Sequence, residues 1–230
     1  MIAQVNGLKL YYTKTASGKP PLLLLHGNGE SHVIFNEAIE QLRHSFTVYA
    51  LDSRGHGSSD PVKAYHYADM ASDVEKFILQ QNLKNPVVYG FSDGAIIALL
   101  LAIHYPSLSN HYILSGVNTS PDQMRLDWKI MITMVYVLTK NPLYRMMKEE
   151  PAITCEELQS IQAQVDLIIA EHEIVPRTVS ESIVQAIPNA TLIEAGAKTT
   201  HGSYIVHQTR IAELIQSCLF CGKEILNSHD

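Results

Sequence analysis

Six short, nearly continuous apolar runs constrain this chain most: residues 22–25, 47–51, 86–91, 111–114, 167–170 and 191–194. A strand with one face in water alternates apolar and polar side chains, whereas a continuous run suits a strand covered on both faces. Segments with helical spacing lie between the runs, at residues 35–44, 67–82, 92–104, 178–186 and 204–226. Strands buried on both faces and separated by helices predict a parallel α/β sheet. The chain begins differently. Asn6-Gly7 sits between apolar stretches, and Leu8, Leu10 and Tyr12 alternate, so an antiparallel hairpin is expected ahead of the parallel part.

One interval breaks the alternation. Residues 120–164 hold no strand-like run; 123–139 and 143–148 read as helices, and Thr154-Cys155-Glu156-Glu157 is a capping box that opens a third. Five of the seven methionines fall here: Met124, Met131, Met134, Met146 and Met147. An insertion between strands falls at the sheet edge where ligands bind, so a lid with a soft apolar face is expected, Met131 and Met134 facing a pocket. The expected organisation is one domain over 1–230 with a helical cap over 119–164.

Composition narrows the function. Seventeen basic against 23 acidic residues give a formal charge of −6, without any Lys/Arg block to track phosphates, so nucleic acid is not an expected partner. The longest apolar run, residues 95–103, is far short of a membrane span. The first residues lack the order of a secretory signal, which predicts a cytoplasmic protein. Three cysteines, Cys155, Cys218 and Cys221, do not suit a disulfide framework. Cys218 and Cys221 form a CxxC inside an apolar helical pattern, where packing is expected rather than a metal or redox site.

Chemistry concentrates at Gly90-Phe91-Ser92-Asp93-Gly94, between the run 87–89 and the helical segment that follows. A Ser flanked by glycines at a strand-to-helix junction is a nucleophile elbow: the turn is too tight for flanking side chains and lifts the hydroxyl clear. Such a hydroxyl needs a base and fixed donors for the developing oxyanion. His26-Gly27-Asn28-Gly29, after the run 22–25, offers the backbone N–H of Asn28 to pair with that of Asp93. Gly27 and Phe91 flank these positions and join Met131 and Met134 as expected pocket residues. At a helix N-terminus the Asp93 carboxylate is expected to be stabilised by the helix dipole; beside the nucleophile it would favour neutral or cationic substrates over anionic ones.

With the hairpin, Asp52-Ser53-Arg54-Gly55-His56-Gly57-Ser58-Ser59 and a C-terminal His201-Gly202, these features resemble the α/β-hydrolase superfamily across nearly the whole chain. The resemblance implies an eight-stranded, mostly parallel sheet with helices on both faces, a helical cap after the sixth strand, and a triad in the order Ser, acid, His. It implies His201 as the base, since the residue follows the last strand and its loop. The acid belongs after the seventh strand, where the usual Gly-x-x-Asp reads Ala170-x-x-Glu173, so Glu173 is expected, with Glu171 and Asp122 as alternatives. His26, His56, Asp52 and Arg54 are expected to brace loops, and His207 to lie inside the last helix.

Three rivals are weaker. Gly27-Asn28-Gly29 followed by Asp52 imitates a nucleotide fingerprint, but His32 stands where the third glycine belongs. His172-Glu173 begins like HExxH, but Pro176 takes the second ligand's place. Ser92 argues against haloalkane or epoxide chemistry, which needs Asp at the elbow. Hydrolysis of a small, largely apolar ester by an acyl-enzyme route is expected, without metal or cofactor, by a monomer or homodimer. A small-ligand receptor and a carbon–carbon bond hydrolase are the alternatives.

Overall fold

The six continuous runs are strands of one sheet, and the computed structural model, which describes residues 1–224, shows why they do not alternate. The strands are β1 (Ile2–Val5), β2 (Leu8–Lys14), β3 (Pro21–Leu25), β4 (Thr47–Leu51), β5 (Val87–Phe91), β6 (His111–Ser115), β7 (Gln164–Ile169) and β8 (Ala190–Glu194). They lie in the order β1-β2-β4-β3-β5-β6-β7-β8. The β1–β2 and β2–β4 pairs are antiparallel; all others are parallel. Helices α1 (Asn36–Leu42) and α8 (Arg210–Glu224) cover one face, and α2 (Tyr67–Gln80), α3 (Asp93–His104) and α7 (Arg177–Ala186) the other. In β3, Leu22 and Leu24 enter the core under α1 and α8, while Leu23 and Leu25 enter the core under α2 and α3. All four are fully buried. At about 1.5–3 kcal/mol for each side chain removed from water, both faces of this strand contribute to stability.

The hairpin forms as expected: Asn6 and Gly7 both take positive φ, 49° and 77°, the geometry a two-residue turn between twisted strands requires. From β3 the chain moves outward to β4 and then crosses back to β5 on β3's other side. Loops that leave adjacent strands in opposite directions open a crevice at the strands' carboxyl ends. The loop after β3 and the turn after β5 flank it, with Leu25 paired to Gly90.

Between β6 and β7 lie a 3-10 turn (Pro121–Gln123), α4 (Leu126–Thr139), α5 (Pro142–Glu149) and α6 (Cys155–Gln159). The capping box holds: Thr154 Oγ1 accepts from the Glu157 N–H at 3.2 Å, and Glu157 Oε2 accepts from the Thr154 N–H at 2.8 Å.

Four expected elements shift. Helix α4 begins at Leu126 rather than at 123, after the 3-10 turn. The first helix is split into a 3-10 turn (His32–Phe35) and α1. Strand β7 starts three residues early, at Gln164, because Asp166 is accommodated inside the sheet by His111 Nε2 at 2.7 Å. The last helix begins at Arg210, not at 204; residues 201–207 form successive turns that end where His207 takes φ 53°. His207 is therefore outside the helix, its N–H donating to the Ile34 carbonyl at 3.0 Å. Cys218 is half-buried against the core under α8. The Cys221 side chain and residues 225–226 of the expected helix lie outside the described residues.

Candidate active site

Ser92 stands between β5 and α3 with φ 53° and ψ −116°, a backbone conformation that non-glycine residues adopt only when the surroundings impose it. The surroundings are two glycines. A methyl group on Gly90 would lie 2.2 Å from the Gly94 carbonyl oxygen, and one on Gly94 would lie 2.3 Å from that of Leu25. The elbow thus packs against itself and against β3 at distances only glycine permits. The Ser92 N–H is spent on the Ser115 carbonyl at 2.8 Å, which ties the elbow to β6.

His201 arrives from the turns after β8. Its Nε2 lies 3.1 Å from Ser92 Oγ, and its Nδ1 bonds Glu173 Oε1 in the loop after β7. A carboxylate can only accept, so Nδ1 carries the proton and Nε2 is free to receive that of the serine. Glu173 is buried, and its Oε1 also accepts the Ile174 N–H at 2.8 Å. Of the three carboxylates considered from sequence, Glu173 alone meets His201; Glu171 and Asp122 are exposed, and Glu171 accepts from the Lys198 N–H. Sequence reading missed Gly116, where φ is +67° and a methyl group would come within 2.4 Å of the imidazole Cε1. The glycine after β6 is what admits the ring. Phe91 also packs against the ring, tilted to it with centroids 4.9 Å apart.

The loop after β3 is held from below. His26 Nε2 accepts the Ser53 N–H at 3.0 Å, so Nδ1 is the protonated nitrogen and donates to the Gly27 carbonyl at 2.8 Å. Burial drives the His26 pKa down to about 4, so the neutral ring is a fixed brace. Asp52 accepts from the His32 and Ser58 N–H groups at 2.7 and 2.9 Å, and Arg54 pairs with Asp73 and Asp69 on α2. These are the bracing roles expected of them.

Asp93 departs from expectation. Its place at the start of α3 predicts a stabilised anion, yet burial pushes its pKa up, and the two side-chain donors that reach it recover only part of the cost. Asn28 Nδ2 donates to Oδ2 at 2.9 Å and Tyr67 Oη to Oδ1 at 2.8 Å. As the first residue of α3, Asp93 has a backbone N–H with no acceptor inside the helix.

A cavity of about 220 Å³ opens over Ser92 and His201. Of the expected pocket residues Gly27, Phe91 and Met131 line it, together with Asn28, expected from sequence as an oxyanion donor. Met134 does not; it lies on the outer side of α4 and is 57% exposed, because on a 3.6-residue period it falls with Ile130 and Leu138 on the face turned from the core. Glu30, Trp128, Tyr144, Met147 and Ile174 complete the wall. None carried a motif; only their position near the loop or in the inserted helices could have suggested them. A larger cavity, about 370 Å³, lies beside the end of β7 near Glu171, Arg177 and Glu194. Ser92, His201 and Glu173 do not line it.

A family profile described as alpha/beta hydrolase fold matches residues 20–143, more than half of the chain. The chain belongs to this family. Among curated relatives, the alpha/beta hydrolase is 35% identical over 129 residues to "Serine hydrolase BPHL" of Homo sapiens, covering 52% of this chain and 44% of that protein. It is 32% identical over 99 residues to "Ethanol acetyltransferase 2" of Hanseniaspora uvarum, covering 42% and 27%. The matches span less than half the length of these relatives. An esterase from Exiguobacterium antarcticum superposes with a TM-score of 0.81 at 21% identity, covering 95% of this chain and 98% of its own, a likeness of fold.

Proposed function

We propose that this alpha/beta hydrolase is a serine esterase that cleaves small, largely apolar esters through an acyl-enzyme, with Ser92 as nucleophile, His201 as acid–base and Glu173 as the carboxylate that orients it. The observation that carries the reading is the unbroken path from Glu173 Oε1 through the imidazole to Ser92 Oγ. Oγ attacks the carbonyl carbon while Nε2 takes its proton. The C–O bond to the alcohol then breaks, the alcohol leaving with the proton from Nε2. Water repeats the sequence on the acyl-enzyme and frees the acid. The backbone N–H groups of Asn28 and Asp93 are read as the oxyanion donors; loss of one such donor typically costs about 3–4 kcal/mol of transition-state stabilisation.

Residues 119–164 are read as a cap, since Trp128 and Met131 on α4 and Tyr144 and Met147 on α5 wall the cavity. Exposed, free Cys155 fits work in a reducing compartment such as the cytoplasm. The test is hydrolysis of a p-nitrophenyl ester panel of increasing acyl length, with and without chelator. Chelator-resistant turnover that disappears in Ser92→Ala supports the reading. Undiminished turnover in that variant overturns it.

A further inference from the structure

The cavity over Ser92 holds a carboxylate that the proposed hydrolysis does not use. Glu30 sits in the loop after β3, where its Oε2 accepts the Gly27 N–H at 3.0 Å. A methyl group on Gly27 would touch Glu30 Oε2 at 2.8 Å and Ser92 Cβ at 3.1 Å, so the carboxylate and the nucleophile both border the space that the glycine leaves open. Among the described residues no Lys or Arg lines this cavity, and none forms an ion pair with Glu30. The part of the wall that the inserted helices supply is aromatic and soft: Trp128, Tyr144, Met131 and Met147. A carboxylate without a Lys or Arg partner, in one cavity with aromatic rings, is the chemistry that holds an ammonium group. The ring faces attract the positive charge, and the low-dielectric walls strengthen the ion pair.

Resting on the serine-esterase reading, we propose that the substrate is a small ester bearing a cationic ammonium group, and that Glu30 is the residue that selects it. With the Gly27 N–H as its one hydrogen-bond donor among the described residues, the Glu30 carboxyl is poorly served as it stands. Burial pushes its pKa up, and the Gly27 N–H and the nearby imidazole of His201 offset this only in part. An ammonium group in the cavity supplies the missing counter-charge. An anionic ester meets Glu30 at close range and is rejected.

Two isosteric pairs test this: p-nitrophenyl 4-(trimethylammonio)butanoate against p-nitrophenyl 5,5-dimethylhexanoate, and butyrylcholine against 3,3-dimethylbutyl butyrate. The members of each pair differ in charge and hardly in shape. The expected result is a kcat/KM preference of tenfold or more for the cationic member of at least one pair, expressed mainly in KM and weakened by salt. In Glu30→Gln, which keeps an acceptor for the Gly27 N–H, the preference should fall towards unity. If that variant fails to fold, competitive inhibition of the unaltered protein by choline, compared with its neutral isostere 3,3-dimethylbutanol, serves instead. Equal kcat/KM within both pairs, equal inhibition by the two compounds, or a preference that survives Glu30→Gln overturns the proposal. Failure to turn over any of the four esters, with Ser92 unreactive, instead overturns the esterase reading beneath it.

Discussion

The side-chain amide of Asn28 donates to Asp93 Oδ2 across 2.9 Å, joining the loop after β3 to the first turn of α3. Both proposed oxyanion donors therefore belong to one bonded unit, whose other anchor is Tyr67 at the start of α2. The unit reaches the inserted helices too, because Glu150, just after α5, accepts the Tyr67 N–H at 3.0 Å.

Asp93→Asn should accordingly lower kcat tenfold to a hundredfold with a smaller change in KM. The backbone N–H groups remain, but the amide that replaces the carboxylate cannot accept at both oxygens. Tyr67→Phe should lose about 1–2 kcal/mol of stability, the cost of leaving a buried acceptor one donor short. Steady-state kinetics and urea unfolding measure the two. An Asp93→Asn protein with unaltered kcat would detach this unit from the chemistry.

Glu173→Gln keeps size and packing but removes the charge proposed to stabilise the imidazolium. In serine proteases the equivalent change costs about 10⁴ in kcat, an upper guide for this site. Glu173→Asp should be partly impaired, because the loop is set for the longer side chain: its Oε1 meets both His201 and the Ile174 N–H. Glu171→Gln and Asp122→Asn, at exposed positions, should leave kcat within twofold. Wild-type kcat in Glu173→Gln would relocate the acid.

His26 makes the fold sensitive to acid. The unfolded chain protonates this residue near pH 6.5, while the folded chain resists until about 4. The unfolded state binds more protons throughout that window, so the contribution of His26 is full above pH 6.5 and declines as pH falls towards 4, by about 3 kcal/mol in all. Urea unfolding of the wild type and of His26→Asn between pH 7.5 and 4 measures the difference in slope. Superposable profiles would show that the ring does not control it.

Met131 and Met134, three residues apart on α4, separate substrate contact from surface. Met131→Asp should change acyl-length preference or raise KM several-fold, because the side chain lines the cavity. Met134→Asp should leave the substrate profile unchanged and stability within about 0.5 kcal/mol, as for other exposed positions. A panel of esters and a melting curve for each protein would check both, and a shifted profile in Met134→Asp would contradict the assignment.

Much of this architecture was legible from local chemistry. Gly90 and Gly94 announce a turn no other residue fits, Asn6-Gly7 announces the hairpin, and the runs in β3 to β7 announce burial on both faces; the run in β8, at the sheet edge, is only half-buried. What was not legible depends on contacts distant in sequence. Gly116 is explained only by an imidazole 85 residues away, Asp166 by His111 across the sheet, and the raised Asp93 pKa by burial that no helix-end rule contains. Glu30 sits one residue beyond His26-Gly27-Asn28-Gly29 and reads as an ordinary loop acid until the cavity is seen.

Reaction with a fluorophosphonate tests the nucleophile most directly, because the reagent captures only a serine whose proton is being removed. After brief exposure, intact-mass measurement should show a single adduct, and peptide mapping should place it on Ser92. His201→Ala should slow labelling by several orders of magnitude without moving it. An adduct on another serine, or steady ester hydrolysis by a protein that takes up no label, would contradict the assignment of Ser92.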